Sequence, residues 1–271
     1  MAQQTDGGGE RPLLPRDRIL IAIGTNVDEE LECADDYGVG AEVQTFSFPG
    51  VLATDFAPLL ERVAARTQET KGIVGCHGAF IDTCHFSADP EIRKVSRMRY
   101  LQSMEIAERV GAGFVVFHSQ YNPIVKVADY PGLYHAGSLE FWPEVLEEAG
   151  RRNLRIYVEN MFDASPEPIR RLLDAIGHPG FKACLDIAHA AIFSEVDLAE
   201  WVGVLQPHLR HVHMNDCGGE FDDHLSLGEG ALDLPRAFEL LRQSGQPLTY
   251  TLETDKNAAA SFRFLGIDKA S

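Results

Sequence analysis

The residues from His211 to Gly230, "HVHMNDCGGEFDDHLSLGEG", bring three histidines and five carboxylates together without one lysine or arginine. Imidazole and carboxylate in one short stretch, with positive side chains kept out, is a composition that suits a bound cation. Further ligand-type residues stand elsewhere: His77 in "GIVGCH", His118 in "GFVVFHS", Glu159 in "LRIYVEN", Asp186 and His189 in "FKACLDIAH", and Glu253 in "PLTYTLETD". With His213, Asp222 and His224 they make nine candidates.

Each candidate alone has an ordinary explanation. A single histidine at a strand end is commonly a hydrogen-bonded core residue. Glu159 and Glu253 read equally as loop-facing acids, Asp186 and His189 as a cap and a helix surface, and Asp222 and His224 as a solvated acidic turn. Together these explanations fail, because four carboxylates crowded into one bowl repel unless cations neutralise them. Mixed imidazole and carboxylate donors suit Zn²⁺, Mn²⁺, Fe²⁺ or Co²⁺ better than Ca²⁺. The expected cofactor is therefore a divalent metal, zinc or manganese, at one to three ions per chain.

Positioning nine such groups requires strands that end together. Apolar strand-like runs alternate with amphipathic helix-like runs eight times, from "RILIAIG" to "PLTYTLETD". No glycine-rich phosphate loop follows the first run, which argues against an open dinucleotide-binding sheet. The pattern predicts an α/β fold, a single-domain (β/α)8 TIM barrel over residues 17–271, preceded by a disordered tail over residues 1–16. Active sites of such barrels lie at the carboxyl ends of the strands, where all nine candidates fall. Thr54 and Asp55 are capping candidates for the helix after the second strand. A loop, "QYNPIVKVADYPGLYHAG", is expected after the fourth strand, with Tyr121, Tyr130, Tyr134 and His135 as a substrate wall or lid. Asn160 and Asn215 read either as orienting partners of the ligands or as plain turn residues. Gly228 and Gly230 read as a tight turn that returns Asp222 and His224 over the barrel.

The 271 residues carry 24 basic and 41 acidic side chains, a formal charge of −17. Such a surplus repels nucleic-acid phosphates and anionic membranes. No lysine or arginine lies between Arg18 and Arg62, and near the expected mouth only Lys126 and Lys256 remain. Lys126, Lys256, Tyr134 and His135 are the substrate-binding candidates. No apolar run reaches the roughly 18 residues needed to span a bilayer. Five dispersed cysteines (Cys33, Cys76, Cys84, Cys184, Cys217) fit reduced thiols, and the start lacks the apolar core of a signal peptide, so a cytoplasmic location is expected. Cys217 reads as a bystander. Homo-oligomerisation stays open.

The chain resembles the xylose-isomerase-like barrel superfamily, which includes sugar and sugar-phosphate isomerases and epimerases and also endonuclease IV. The segments that carry it are "CHGAFID", "FHSQ", "YVENM", "CLDIAHA", "HVHMND", "DDHLSLGEG" and "TLETD". The likeness covers nearly the whole chain after the tail. In the epimerase branch it implies one divalent ion on residues matching Glu159, Asp186, His213 and Glu253, with the two glutamates also moving protons. In the endonuclease IV branch it implies three zinc ions on nine residues, all with counterparts here. Phe80 matches an aromatic wedge of that branch, but the basic residues that grip DNA have no counterpart. The expected function is a metal-dependent sugar or sugar-phosphate isomerase or epimerase working through a glutamate-mediated enediolate on a small carbohydrate. The alternative is a trinuclear zinc phosphoesterase acting on abasic DNA or on a small phosphodiester.

Overall fold

The computed structural model describes residues 13–254 and 258–270. Eight parallel strands pair in chain order: β1 (Ile19–Ile23), β2 (Gly40–Val43), β3 (Val74–His77), β4 (Phe114–His118), β5 (Arg155–Glu159), β6 (Phe181–Asp186), β7 (Leu209–Met214) and β8 (Thr249–Leu252). β8 pairs back onto β1 with Leu20 beside Thr251, which closes the barrel. The expected (β/α)8 architecture is therefore present. Around it lie α1 (Val27–Tyr37), α2 (Pro49–Leu52), α3 (Ala57–Thr67), α4 (Pro90–Arg109), α5 (Tyr130–Arg151), α6 (Glu167–Ile176), α7 (Ile187–Phe193), α8 (Leu198–Leu205), α9 (Leu234–Gln243) and α10 (Ala258–Leu265). α2 and α7 are short additions to the eight-unit pattern on the carboxyl side of β2 and β6, and α7 follows its strand directly.

Strands covered on both faces have to be apolar almost throughout, and β1 and β4 are. The helices bury one stripe each. In α6, Ile169, Leu172 and Leu173 are buried, at the spacing of one helical face. α1 stops at Gly38, whose left-handed backbone (φ 61°) lets its N–H and that of Val39 turn back onto Asp35 and Ala34. No helix among the described residues is long and apolar enough to cross a membrane. All five cysteines are free thiols.

Side chains on a strand alternate between faces, so residues two apart share the barrel interior. The base of that interior is an apolar plug of Leu20, Phe114, Val116, Tyr157 and Cys184. Above it, the His211 ring lies 4.7 Å from the Phe114 ring, tilted against it. Two residues further along their strands stand His213, Glu159, Asp186 and Glu253. The interior thus passes from apolar at the base to ionisable at the carboxyl end, and this layering brings the site residues together.

Two local expectations are corrected. Thr54 and Asp55 do not cap a helix: α3 starts at Ala57 after Phe56, and the Thr54 hydroxyl donates to Val51 O. The connection after β4 is shorter than the sequence suggests, because α5 already begins at Tyr130. Pro131 and Gly132 look like helix breakers, but a proline in the first turn gives up an N–H that has no intrahelical partner anyway. Tyr130, Tyr134 and His135 are therefore helical residues, not loop residues.

Candidate metal centre

The nine candidates converge at the carboxyl end of the barrel. Glu159 stands at the centre. Its Oε2 is 3.2 Å from His77 Nε2 and 3.3 Å from His118 Nε2. Its Oε1 is 3.0 Å from His213 Nδ1 and 3.4 Å from His189 Nδ1. Glu253 Oε2 approaches the same His213 nitrogen at 3.2 Å. Asp222 Oδ2 lies between His189 Nε2 at 3.2 Å and His224 Nε2 at 3.1 Å. Besides Cys184, His211 and His213, two groups drawn from the nine candidates have donor atoms close enough to share one ion: His77, His118 and Glu159; and Glu159, Asp186, His213 and Glu253. Glu159 belongs to both. Metal bonds of about 2.0–2.2 Å place neighbouring ligand atoms roughly 3–3.4 Å apart, which is the spacing seen here.

The imidazoles are held as ligands need to be held. His77 Nδ1 meets Gly78 O at 2.9 Å, His189 Nδ1 meets Asn160 O at 2.9 Å, and His224 Nδ1 meets Glu253 O at 3.0 Å. A carbonyl only accepts, so each Nδ1 carries the proton and donates it. Each Nε2 then turns its other face toward a carboxylate of the cluster, available to a metal. Asp186 is held equally firmly. Its Oδ1 accepts from the N–H of His189 at the start of α7, and its Oδ2 accepts from Asn215 Nδ2. Asn160 pairs both ways with the Asp186 backbone. Asn160 and Asn215 thus do orient a candidate ligand.

The electrostatics are those of charges stripped of water. Burial lifts the Asp186 carboxyl to about 6, against the pull of His189 and with the help of the Glu253 and Glu159 charges. Burial works in the same direction on Glu159, but His213 and His118 outweigh it and hold Glu159 well below the usual range. For His189 and His213 burial opposes the charged ring, yet the surrounding anions push both well above an ordinary imidazole. His224 is driven up to about 10 by its bond to Asp222, also against burial. His118 is the exception, held low by burial. No ion pair among the described residues joins this cluster to lysine or arginine. The donor set of imidazoles and carboxylates suits divalent cations such as zinc or manganese, which would neutralise the carboxylates in place of those imidazole protons.

Three buried acids escaped the sequence reading: Glu42, Asp216, and Asp163, which accepts a hydrogen bond from Ser119 Oγ. Glu42, on β2, is wholly buried and reaches across the interior to His211 and His213. Asp216 is buried after β7, where it accepts the N–H groups of Cys217, Gly228 and Leu232. It folds the loop that carries Asp222 and His224 over the mouth. A Cβ on Gly230 would stand 2.2 Å from Asp216 Oδ1, so glycine is required there. The only sequence signal for Glu42 was a carboxylate in an apolar strand. Gln44 was also missed; its Nε2 donates to Glu253 Oε1 at 2.5 Å.

Of the substrate candidates, Tyr134 and His135 lie apart from this cluster. Tyr134 is 1% exposed, packed in α5 against Phe86 and Tyr121. Tyr134 and His135 border a separate cavity of about 450 Å³ between α5 and α6, with Tyr121 and Arg171. Lys126 is exposed, and Lys256 lies outside the described residues, as does the expected tail up to residue 12. The mouth itself is flanked by two aromatic pairs. Phe48 and Phe80 stand 5.0 Å apart, with Phe80 4.9 Å from the His118 ring. Phe162 and Phe193 stand 5.2 Å apart, with Phe193 6.1 Å from His189.

Comparison with known proteins agrees with this architecture. A Probable endonuclease 4 of Mycobacterium leprae is 28% identical over 174 residues, 60% of this chain and 66% of that protein, just under two thirds of its length. The structure of the TTHB071 protein from Thermus thermophilus, soaked with ZnCl₂, is 28% identical with a TM-score of 0.76, covering 92% of this chain and 96% of that one. A D-tagatose 3-epimerase-like protein shares the fold at 20% identity and a TM-score of 0.75, over 92% and 95% of the two chains. The profile of the xylose isomerase-like TIM barrel family matches residues 34–266, and the chain belongs to that family.

Proposed function

We propose that this barrel is a divalent-metal enzyme whose centre holds more than one ion and hydrolyses a phosphoester of a small carbohydrate. The observation that carries the reading is Glu159, whose two oxygens each face a different set of imidazoles. A single-ion isomerase needs only Glu159, Asp186, His213 and Glu253. His77, His118, His189, Asp222 and His224 have no part in that chemistry, yet all five are held in ligand orientation or ligand spacing. Charge supports the same conclusion. Glu159, Asp186, Asp222 and Glu253 carry four negative charges if all are ionised. Two divalent ions balance them, and three leave a surplus that attracts an anionic substrate.

Divalent ions held there supply two things: neutralisation of phosphate oxygens and a water acidic enough to attack at neutral pH. The chain's own residues do the rest. Glu159 ties two ligand groups into one centre. The backbone carbonyls of Gly78, Asn160 and Glu253 fix three imidazoles in one tautomer. Gln44 pins Oε1 of Glu253, leaving Oε2 at the centre to take a proton. The Phe80 and Phe193 rings wall off the two sides. With so little positive charge at the mouth, duplex DNA lacks the phosphate contacts that dominate nucleic-acid affinity, which favours a small substrate.

Isomerisation or epimerisation is the second reading. It is favoured by the placement of Glu159 and Glu253, both within reach of one His213 nitrogen, as a pair of proton-moving carboxylates. One set of measurements separates the two. Elemental analysis should give at least two ions per chain, and the loaded protein should hydrolyse bis(p-nitrophenyl) phosphate, with both ions and activity reduced in Glu159→Gln. One ion per chain, no hydrolysis, and deuterium entering a ketose next to its carbonyl in D₂O would replace this reading with the isomerase. Nicking of abasic duplex at physiological salt would extend the substrate to DNA.

A further inference from the structure

We infer that Glu42 is a positioning residue that sets which nitrogen of His213 faces the metal centre; this rests on the reading that the centre holds divalent ions. Glu42 lies on β2 and His213 on β7, strands that do not pair, so their contact crosses the barrel interior. His213 Nε2 is 3.1 Å from Glu42 Oε1 and 3.3 Å from Oε2. Its Nδ1 points the opposite way, at Glu159 and Glu253. His77, His189 and His224 turn Nδ1 to a backbone carbonyl and present Nε2. His213 is therefore reversed relative to those three, and a carboxylate takes the place of their carbonyl. A carboxylate accepts and cannot donate, so it keeps the proton on Nε2, leaves the Nδ1 lone pair bare, and strengthens that nitrogen as a donor to a cation.

Glu42 is itself held in place. Thr251 Oγ1 donates to its Oε2 at 2.6 Å, and His211 Nε2 meets the same oxygen at 2.9 Å. His211 in turn is fixed by Thr249 through Nδ1 at 2.6 Å. The whole group is sealed below the centre: Glu42, His211, His213 and Thr251 are all 0% exposed. Sealed in this way, the carboxylate has no solvent position to rotate into. Its orientation is transmitted to the ring above it.

The test uses the full chain and zinc alone. In Glu42→Gln, zinc affinity, read by competition with a chromophoric chelator, should fall about 10- to 100-fold, the usual effect of removing a ligand's outer partner. Phe114→Leu, in the apolar plug beneath, loosens the same buried region but leaves every hydrogen bond of Glu42 in place, so it should lower the melting temperature while holding zinc affinity within about threefold. In the zinc-loaded wild-type protein, nitrogen NMR should find the His213 proton on Nε2. Equal zinc affinity in folded Glu42→Gln and wild type overturns the inference, as does a proton on Nδ1. Equal losses of zinc affinity in both variants also overturn it, reducing Glu42 to a packing role. The NMR reading needs no variant, so a proton on Nδ1 overturns the inference even where Glu42→Gln does not fold. Wild-type protein that binds no zinc overturns the metal-centre reading along with this one, which separates the two failures.

Discussion

Asn in place of Asp216 should open the loop that carries Asp222 and His224 without unfolding the barrel. Asp216 accepts three backbone hydrogen bonds: Oδ1 from Cys217 at 2.9 Å and Leu232 at 3.1 Å, and Oδ2 from Gly228 at 3.0 Å. Other backbone ties of the loop include a short bridge between Asp216 and Leu225, the Ala231 N–H to Cys217 O bond and the Leu227 N–H to Ser261 Oγ bond, none of which involves the Asp216 carboxylate. In Asp216→Asn the amide oxygen can keep the first two bonds, but neutral acceptors contribute about 1 kcal/mol less each than charged ones. The amide nitrogen then faces the Gly228 N–H, donor against donor, and a bond of about 2 kcal/mol is lost. The sum is about 4 kcal/mol, close to a thousandfold in the opening equilibrium. Hydrogen exchange should show it directly: the Leu225, Gly228 and Leu232 amides should lose protection by about two to three decades, while amides of β4 and β5 stay protected. Bound metal per chain should fall as well, since Asp222 and His224 ride on the loop. Protection of Gly228 and Leu232 within about threefold of wild type would refute the argument that Asp216 holds this loop closed.

Two further predictions concern stability. Burial lifts the Asp163 carboxyl to about 7, against its bond from Ser119 and one from the Met161 N–H. The folded chain therefore keeps a proton there that the unfolded chain has lost, and stability falls as pH rises from about 4 to about 7, then levels off. Asp163→Asn stays neutral throughout, so its stability relative to wild type should rise across that window, by up to roughly 4 kcal/mol in urea titrations. A gap that is the same at pH 4.5 and pH 8 contradicts it. A Cβ on Gly78 would stand 2.0 Å from the Phe117 ring. Gly78→Ala should cost about 1–3 kcal/mol and lower the melting temperature by several degrees. Gly150, in α5 with open space around it, is the control: Gly150→Ala should leave stability unchanged or raise it by up to about 1 kcal/mol.

Residue type and period alone determined the barrel and the convergence of the nine candidate ligands. Strands buried on both faces must be apolar, so a histidine or carboxylate ending such a run, as at His77, His118, Glu159 and Asp186, is visible against its background. Strand ends of a parallel barrel share one rim, so placing those residues needed no long-range information. The tertiary structure decided what depends on contacts between distant segments. Glu42 looks like a polar interruption of a strand until the barrel brings His211 and His213, far along the chain, against it. Asp216 gains its role only when the loop returns to bring Gly228 and Leu232 to it. The start of α5 was hidden because Pro131 and Gly132 carry the local signal of a break. The contacts that pack Tyr134 against Phe86 and Tyr121 join three separate segments, which no local signal announces.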